Sequence, residues 1–442
     1  MLKKIIKNKY QLLELIIIFI ITLLYNLICS SITGDEIWNY GFSYNISTSL
    51  IPYKDFNMVI TPLYPLLGAI FLIIFGKNLL IYHIFNAIIC TAIFSYMKKL
   101  IPQSYHIVYM IFLLNAYPSY NILCILFLYI LMIMEDKKSN NYLIGIILGL
   151  TFLTKQNIGI FLCIPSLFTK NVKKILKRIT GFLIPNLILL VYLLLNNCLY
   201  EFIDYTFLGL ILFAKTNLLT DKISIIIIII TTIILILKYI KNKDIKIIYL
   251  LSFQLLAFPI VEKYHIMIAL VPIIGYLLST IKLNKKIFLL IFITNIIVTF
   301  SVNIYSIHNL EYSFPNNSEA YKYRKISTEI VSTLKYISNY VNRVKEELYI
   351  IDRNAYFIKL ESNIEINKYD LLNAGNLGKG GEKKIINEIE ENCNNKKCIF
   401  LIELEASQNN PKLEYAKETK DYVKSKYKRH NVVGNLVVYK NY

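Results

Sequence analysis

The residues best suited to chemistry gather in one stretch, Gly34 to Pro65, which reads GDEIWNYGFSYNISTSLIPYKDFNMVITPLYP. It holds the carboxylates Asp35, Glu36 and Asp55, the only tryptophan, Trp38, and the step Tyr53-Lys54. A positioned carboxylate can take the proton of an attacking hydroxyl, a contribution of roughly 10²–10⁴-fold. Partial burial near a membrane face raises its pKa toward a useful range. The plainer alternative for Asp35 and Glu36 is a solvated loop, or an N-cap ahead of a helix over 37–44. Loops longer than about 12–15 residues tend to be functional or disordered. This one is too rich in aromatic and aliphatic residues for disorder.

Other polar groups sit between apolar stretches: Lys155-Gln156; Glu201, Asp204, Lys215 and Asp221 within 197–222; and Glu262-Lys263-Tyr264-His265. Lys155 is the sharpest of these, because it interrupts a nearly uncharged run over 140–169. A charge at membrane depth is costly and points to function by default, against the alternative of a lysine snorkelling from a helix end. Cations and carboxylates on one membrane face suit a lipid-linked phosphosugar entering from the bilayer. Cations stabilise the phosphate as it leaves, and a carboxylate deprotonates the incoming hydroxyl.

These residues must be positioned by membrane helices. Of 442 residues, 56% are hydrophobic, above the ~45–50% of soluble domains, and the excess lies before residue 304. Apolar spans are expected at about 10–29, 79–97, 104–117, 119–134, 141–154, 157–169, 179–196, 223–237, 247–261, 264–281 and 287–303. The segment 61–75 reads as a juxtamembrane or re-entrant helix. That choice puts the basic clusters at 3–9, 98–99, 137–138, 170–178, 238–246 and 282–286 on one side, as the positive-inside rule requires. The expected architecture is an all-α polytopic membrane bundle, about eleven crossings plus a juxtamembrane helix, with a small extracellular α/β domain at the C-terminus. The N-terminus is then cytoplasmic, behind an uncleaved first span, and the chain is a multi-pass protein of the plasma membrane. Most of the net charge of +19 resides in these loops, which argues against a nucleic-acid partner. Gly145 and Gly149 read as a close helix-packing step.

Three regions follow: a membrane domain over 1–303, with its first external loop at 30–61; a polar, helical connector over 304–345; and a soluble domain over 346–442. The stretch 304–442 carries 22 Lys/Arg against 18 Asp/Glu, a solvated balance. Strands are expected at 348–352 and 398–403 and a closing strand over 432–439 with a turn at Gly434-Asn435; helices are expected at 383–391 and 413–427. The glycine-rich run 373–381 lacks the spacing of a phosphate loop and reads as a surface loop. Cys393 and Cys398 could close a small disulfide if this domain lies outside the cell; no cysteine spacing suits zinc.

Short motifs resemble the type-C (GT-C) polytopic membrane glycosyltransferases, in particular the bacterial protein-mannosyltransferase and aminoarabinose-transferase-like group. Gly34-Asp35-Glu36 is similar to their acidic pair after the first span. Leu50–Phe56 (LIPYKDF) resembles their proline-tyrosine-basic-Asp-Phe stretch. Thr61-Pro62-Leu63 with Phe75-Gly76, Gly149-Leu150 through Leu153-Thr154-Lys155, and Glu262–His265 with Pro272 are similar to later motifs in the same order. The resemblance covers about 1–303. It implies inverting transfer of a sugar from a polyprenyl-phosphate donor to a glycan, lipid or protein acceptor at the outer face. Asp35 would be the base, with Glu36 or Asp55 orienting a reactant. Lys155, Lys263 and His265 would engage the donor phosphate. Trp38, Tyr53, Gln156 and Tyr264 would line the substrate. Ile60-Thr61-Pro62 stands where many relatives carry Lys-Pro-Pro or Gly-Pro-Pro, so Lys54 or Lys155 must supply that cation. No cofactor is called for, and no metal, although loop carboxylates could hold a divalent ion. The rival readings are a transporter or lipid flippase, a glycan polymerase or ligase, and a non-catalytic scaffold.

Overall fold

A computed structural model describes residues 2–29, 34–114, 119–169, 171–211, 221–258, 263–280, 310–312, 325–352, 355–362, 376–403 and 415–442, with isolated positions at 261, 293, 364, 368–369 and 372. The span expected at 287–303 lies outside the described residues, apart from position 293.

The apolar runs become helices because the backbone has no partner in lipid except itself. In chain order the helices up to residue 211 are α1 (Leu2–Leu24), α2 (Gly34–Ser47), α3 (Leu63–Phe75), α4 (Leu79–Met97), α5 (His106–Leu114), α6 (Tyr120–Asp136), α7 (Asn141–Thr154), α8 (Gln156–Phe161), α9 (Ile164–Leu167), α10 (Val172–Leu195) and α11 (Leu199–Ile203). Then come α12 (Lys222–Asn242), α13 (Ile245–Gln254) and α14 (Lys263–Thr280). Side-chain caps mark several starts: Asn78, Ser119, Asn140 and Asp221 each accept a backbone N–H of the first turn.

The expected count of about eleven crossings is not what the helix lengths give. Among the described residues four helices are long and apolar enough to cross a membrane: α4, α10, α12 and α14. Six further apolar segments run only 10–17 residues. At about 1.5 Å per residue, a 14-residue helix such as α7 spans ~21 Å, short of the ~30 Å hydrocarbon core. The expected span 157–169 is divided into α8 and α9. The apolar character was read correctly there, but length is set by where the backbone breaks.

Helix α7 packs most closely on α10. A Cβ on Gly145 would collide with the carbonyl oxygen of Arg178, and one on Gly181 with that of Tyr142. Glycine is what lets the two backbones meet. Beside this contact Arg178 is buried against Glu135 (2.8 Å), with Asn141 at 3.0 Å and Ser166 at 3.2 Å. Tyr249 donates to Oε1 of the same carboxylate at 2.8 Å, while Arg178 also reaches Oε2 at 3.0 Å, so α6, α7, α9, α10 and α13 share one satisfied charge pair.

The C-terminal part contains α15 (Thr328–Val341), α16 (Ala355–Ser362), α17 (Lys383–Cys393) and α18 (Lys417–Lys426). Its strands are β1 (Leu310–Tyr312), β2 (Lys325–Ser327), β3 (Glu347–Ile351), β4 (Cys398–Glu403), β5 (Lys428–Val433) and β6 (Leu436–Lys440). The stretch 304–345, expected to be helical, thus also contains the antiparallel pair β1–β2. The main sheet runs β3-β4-β6-β5, with β3 and β4 parallel and the other pairs antiparallel. The closing strand expected over 432–439 with a turn at Gly434-Asn435 is the hairpin β5–β6, whose first strand begins earlier, at Lys428. Gly434, at φ 61°, turns the chain so that β6 enters beside β4.

Strand β4 is buried on both faces. Phe400 and Ile402 face Ile385, Ile389 and Val423 in one apolar cluster. Ile399 and Leu401 belong instead to the main core, with Tyr356, Phe357 and Ile358 of α16 and the residues of the membrane domain. The alternation is the period of two of a strand. One apolar core therefore runs from the helices into the sheet.

Replacing Gly145 with Val should force α7 away from α10. A loss of about 1–3 kcal/mol is expected for such overpacking, read as a lower midpoint in thermal unfolding of the detergent-solubilised protein.

Candidate functional site

The segment that follows the first helix begins with α2 and ends with α3. Between them the chain is non-helical yet largely buried, so its polar groups need partners. A tight turn at 51–56 supplies some: Asp55 accepts from the Ile51 N–H at 2.7 Å, and the Asp55 N–H donates to the Ile51 carbonyl at 2.9 Å. Tyr53 is buried with φ at 72°, and its hydroxyl donates to the Ile60 carbonyl at 2.9 Å while its ring meets Phe202 edge-on. Asp55 therefore shapes the turn. Tyr53 pins it rather than lining an open surface, and Lys54 between them is exposed.

Helix α2 carries the acidic pair. The side chain of Asp35 lies outside the described residues; its backbone forms the second residue of α2. Glu36 is fully buried, and its Oε1 lies 2.9 Å from Nε2 of an equally buried His83 on α4. Glu36, expected to orient a reactant, thus has an ionisable neighbour inside the core. Trp38 is half-buried against the same core. His83 escaped the sequence reading although a signal existed: one of only five histidines, it stands within an apolar run, where an ionisable group asks for a partner.

The Lys155 turn closes on this segment. Lys155 is extended, ends α7 and starts α8. Its Nζ donates to Asn121 Oδ1 at 3.0 Å and lies 5.1 Å from the centre of the Tyr120 ring. Asn121 Nδ2 donates to Ser119 Oγ at 3.2 Å, and Ser119 Oγ lies 3.2 Å from the Tyr264 hydroxyl. The ring of His265 packs 5.6 Å from that of Tyr264. Gln156 Nε2 donates to the carbonyls of Thr206 (2.8 Å) and Val59 (3.3 Å), and Thr61 Oγ1 donates to the Phe152 carbonyl at 2.8 Å.

The structure thus brings Lys155, Gln156 and Tyr264 into one polar seam beside residues 59–61. It adds Asn121 and Ser119, which the sequence concealed because each is an ordinary helix-start residue. Lys263 is exposed at the start of α14. Glu262 lies outside the described residues. Among the described residues no three His, Cys, Asp or Glu side chains converge closely enough to hold a metal ion.

The C-terminal part also reaches the first segment. A Cβ on Gly41 would meet the Tyr356 ring, and Phe42 meets that ring edge-on, so α16 lies directly on α2. Glu361 is buried at the end of α16, and its Oε2 has no hydrogen-bond partner among the described residues. Burial raises its pKa from the ordinary 4.5 to about 7.

No family profile matches the chain, and no curated protein matches it in sequence. Among solved structures it is similar to the crystal structure of an oligosaccharyltransferase from Archaeoglobus fulgidus in complex with Zn and sulfate. The match has 8% identity and a TM-score of 0.41, covering 88% of this chain and 68% of that one. A likeness of that degree carries no argument about what this chain does.

A raised carboxyl pKa means that the folded state holds a proton which the unfolded chain releases above pH 4.5. The stability contributed by neutral Glu361 is therefore complete below that pH and is lost as pH rises through about 7. Unfolding midpoints measured from pH 5 to 8 should fall with pH in the native protein, and fall less in Glu361→Gln.

Proposed function

We propose that the protein is a glycosyltransferase that moves a sugar from a polyprenyl-phosphate-linked donor to an acceptor at the outer face of the membrane. One observation carries this reading. A lysine between two apolar helices, Lys155, sits in a polar seam with Asn121, Ser119 and Tyr264 beside the non-helical residues 59–61. A cation and hydroxyls at the end of short membrane helices can meet a phosphate that stays at headgroup level while its isoprenoid tail remains in lipid.

In this reading Asp35 accepts the proton of the acceptor hydroxyl. The acceptor oxygen forms a bond to the anomeric carbon from the face opposite the phosphate, so configuration inverts. The bond between that carbon and the phosphate oxygen breaks, and polyprenyl phosphate leaves against Lys155, with Lys263 and His265 on either side of Tyr264 in sequence. Glu36, paired with His83, orients α2 and hence Asp35. Asp55 holds the 51–56 turn, and Lys54 offers an exposed cation to an approaching headgroup. The disulfide between Cys393 and Cys398 supports an oxidising, external side for the C-terminal domain, with the basic loops inside and the chain crossing the cell membrane several times.

The test uses the full chain in lipid nanodiscs with a panel of polyprenyl-phosphate sugars and mixed acceptors. Sugar transfer with release of polyprenyl phosphate is expected. Asp35→Asn should lower turnover by roughly 10²–10⁴-fold, and Lys155→Met by roughly 10²–10³-fold. Movement of intact donor across a sealed bilayer without transfer would instead establish a flippase. Unchanged turnover in both variants would remove these residues from the reaction.

A further inference from the structure

The glycine-rich run read from the sequence as a surface loop is not free. Its described part, 376–381, lies against Asp204, which is only 1% exposed at the start of the π-helical turn 204–208. The Lys379 N–H donates to Asp204 Oδ1 at 2.9 Å, and Lys384, in the first turn of α17, forms an ion pair with Oδ2. Gly378 has φ at +73°, and a Cβ there would collide with the Asp204 carboxylate. The Lys384 ammonium also lies 4.9 Å from the centre of the Tyr205 ring.

A second tie runs alongside. Asn57, between α2 and α3, donates through Nδ2 to the Asn376 carbonyl at 3.0 Å and through its backbone N–H to the Lys368 carbonyl at 2.9 Å. Two residues beyond Asp204, the Thr206 carbonyl receives Gln156 Nε2 at 2.8 Å, and the same nitrogen reaches the Val59 carbonyl at 3.3 Å. A continuous set of bonds thus leads from the 376–384 segment through 204–206 and 57–59 to the turn carrying Lys155.

We propose that Asp204 is an interdomain latch: its carboxylate, held by the Lys379 amide and Lys384, clamps the C-terminal domain onto the membrane domain and thereby holds the 155–156 turn in place. A buried carboxylate is costly unless charged and hydrogen-bonding partners meet it, and here every partner comes from the opposite domain. The C-terminal domain is then a working part of the membrane-face seam. This inference does not rest on the proposed glycosyl transfer.

The test is hydrogen–deuterium exchange of the full chain in nanodiscs. Asp204→Asn keeps the shape but removes the charge. Losing charge-assisted bonds of this kind should speed exchange roughly ten- to a hundredfold. The faster exchange should appear in 376–384, in 57–59 and in 155–158 together, while α4 is unchanged. Gly378→Ala, which leaves every charge in place, should open the same three segments. Glu390→Gln, which breaks the exposed Lys426–Glu390 contact within the C-terminal domain, should open none of them. Faster exchange confined to 376–384, faster exchange spread through α4, or no change in Asp204→Asn would each overturn the latch. If Asp204→Asn cannot be recovered folded, Lys384→Met is read against the same three segments with the same criteria.

Discussion

The constraint on which the rest depends is the burial of irregular backbone among apolar helices. Residues 51–61 are not helical, yet much of this stretch is buried. Buried non-helical backbone is tolerated only where protein supplies its partners. Here the partners come from four directions: Tyr53 within the turn, Gln156 from the α7–α8 junction, Phe152 accepting from Thr61, and Lys368 and Asn376 from the C-terminal domain. Removing any one direction would leave buried polar groups unsatisfied, which costs more than the net worth of a bond made.

That requirement explains the arrangement of the charges. Charged groups near the seam are met by partners: Glu36 with His83, Asp204 with Lys384, Lys155 with Asn121 and the Tyr120 ring. At the opposite ends of α6 and α7 the Arg178–Glu135 pair is satisfied by Tyr249, Asn141 and Ser166 and knits five helices. Among the described residues Lys155 meets the neutral amide of Asn121 and the face of the Tyr120 ring.

The apolar core adds a second level of coupling. Since β4 contributes Ile399 and Leu401 to the same core as α16 and the membrane helices, the sheet cannot leave without exposing large apolar surface, at about 25 cal/mol per Å². The polar ties at Asn57 and Asp204 then fix orientation on a contact whose strength is hydrophobic. Non-directional burial holds the domains together, and directional bonds decide how.

Much of this was legible in the residues alone. The run 79–97 is a helix with the expected bounds, and the apolar character of most other runs, the glycine step at 145–149 and the strand at 398–403 follow from local composition and period, which act over a few residues. The Cys393–Cys398 loop was open to inference because its spacing is short. What the residues did not disclose depends on contacts distant in sequence. Glu36 and His83 are ordinary polar letters until two helices bring them within 2.9 Å. Asn121 and Ser119 read as a helix start, and the glycine run reads as a loop, until folding sets Lys155 and Asp204 against them. Sequence determined which segments are apolar and which residues could react. Only tertiary structure decided how long each helix runs and which carboxylate is already spoken for, because those outcomes turn on where backbone breaks find partners far along the chain.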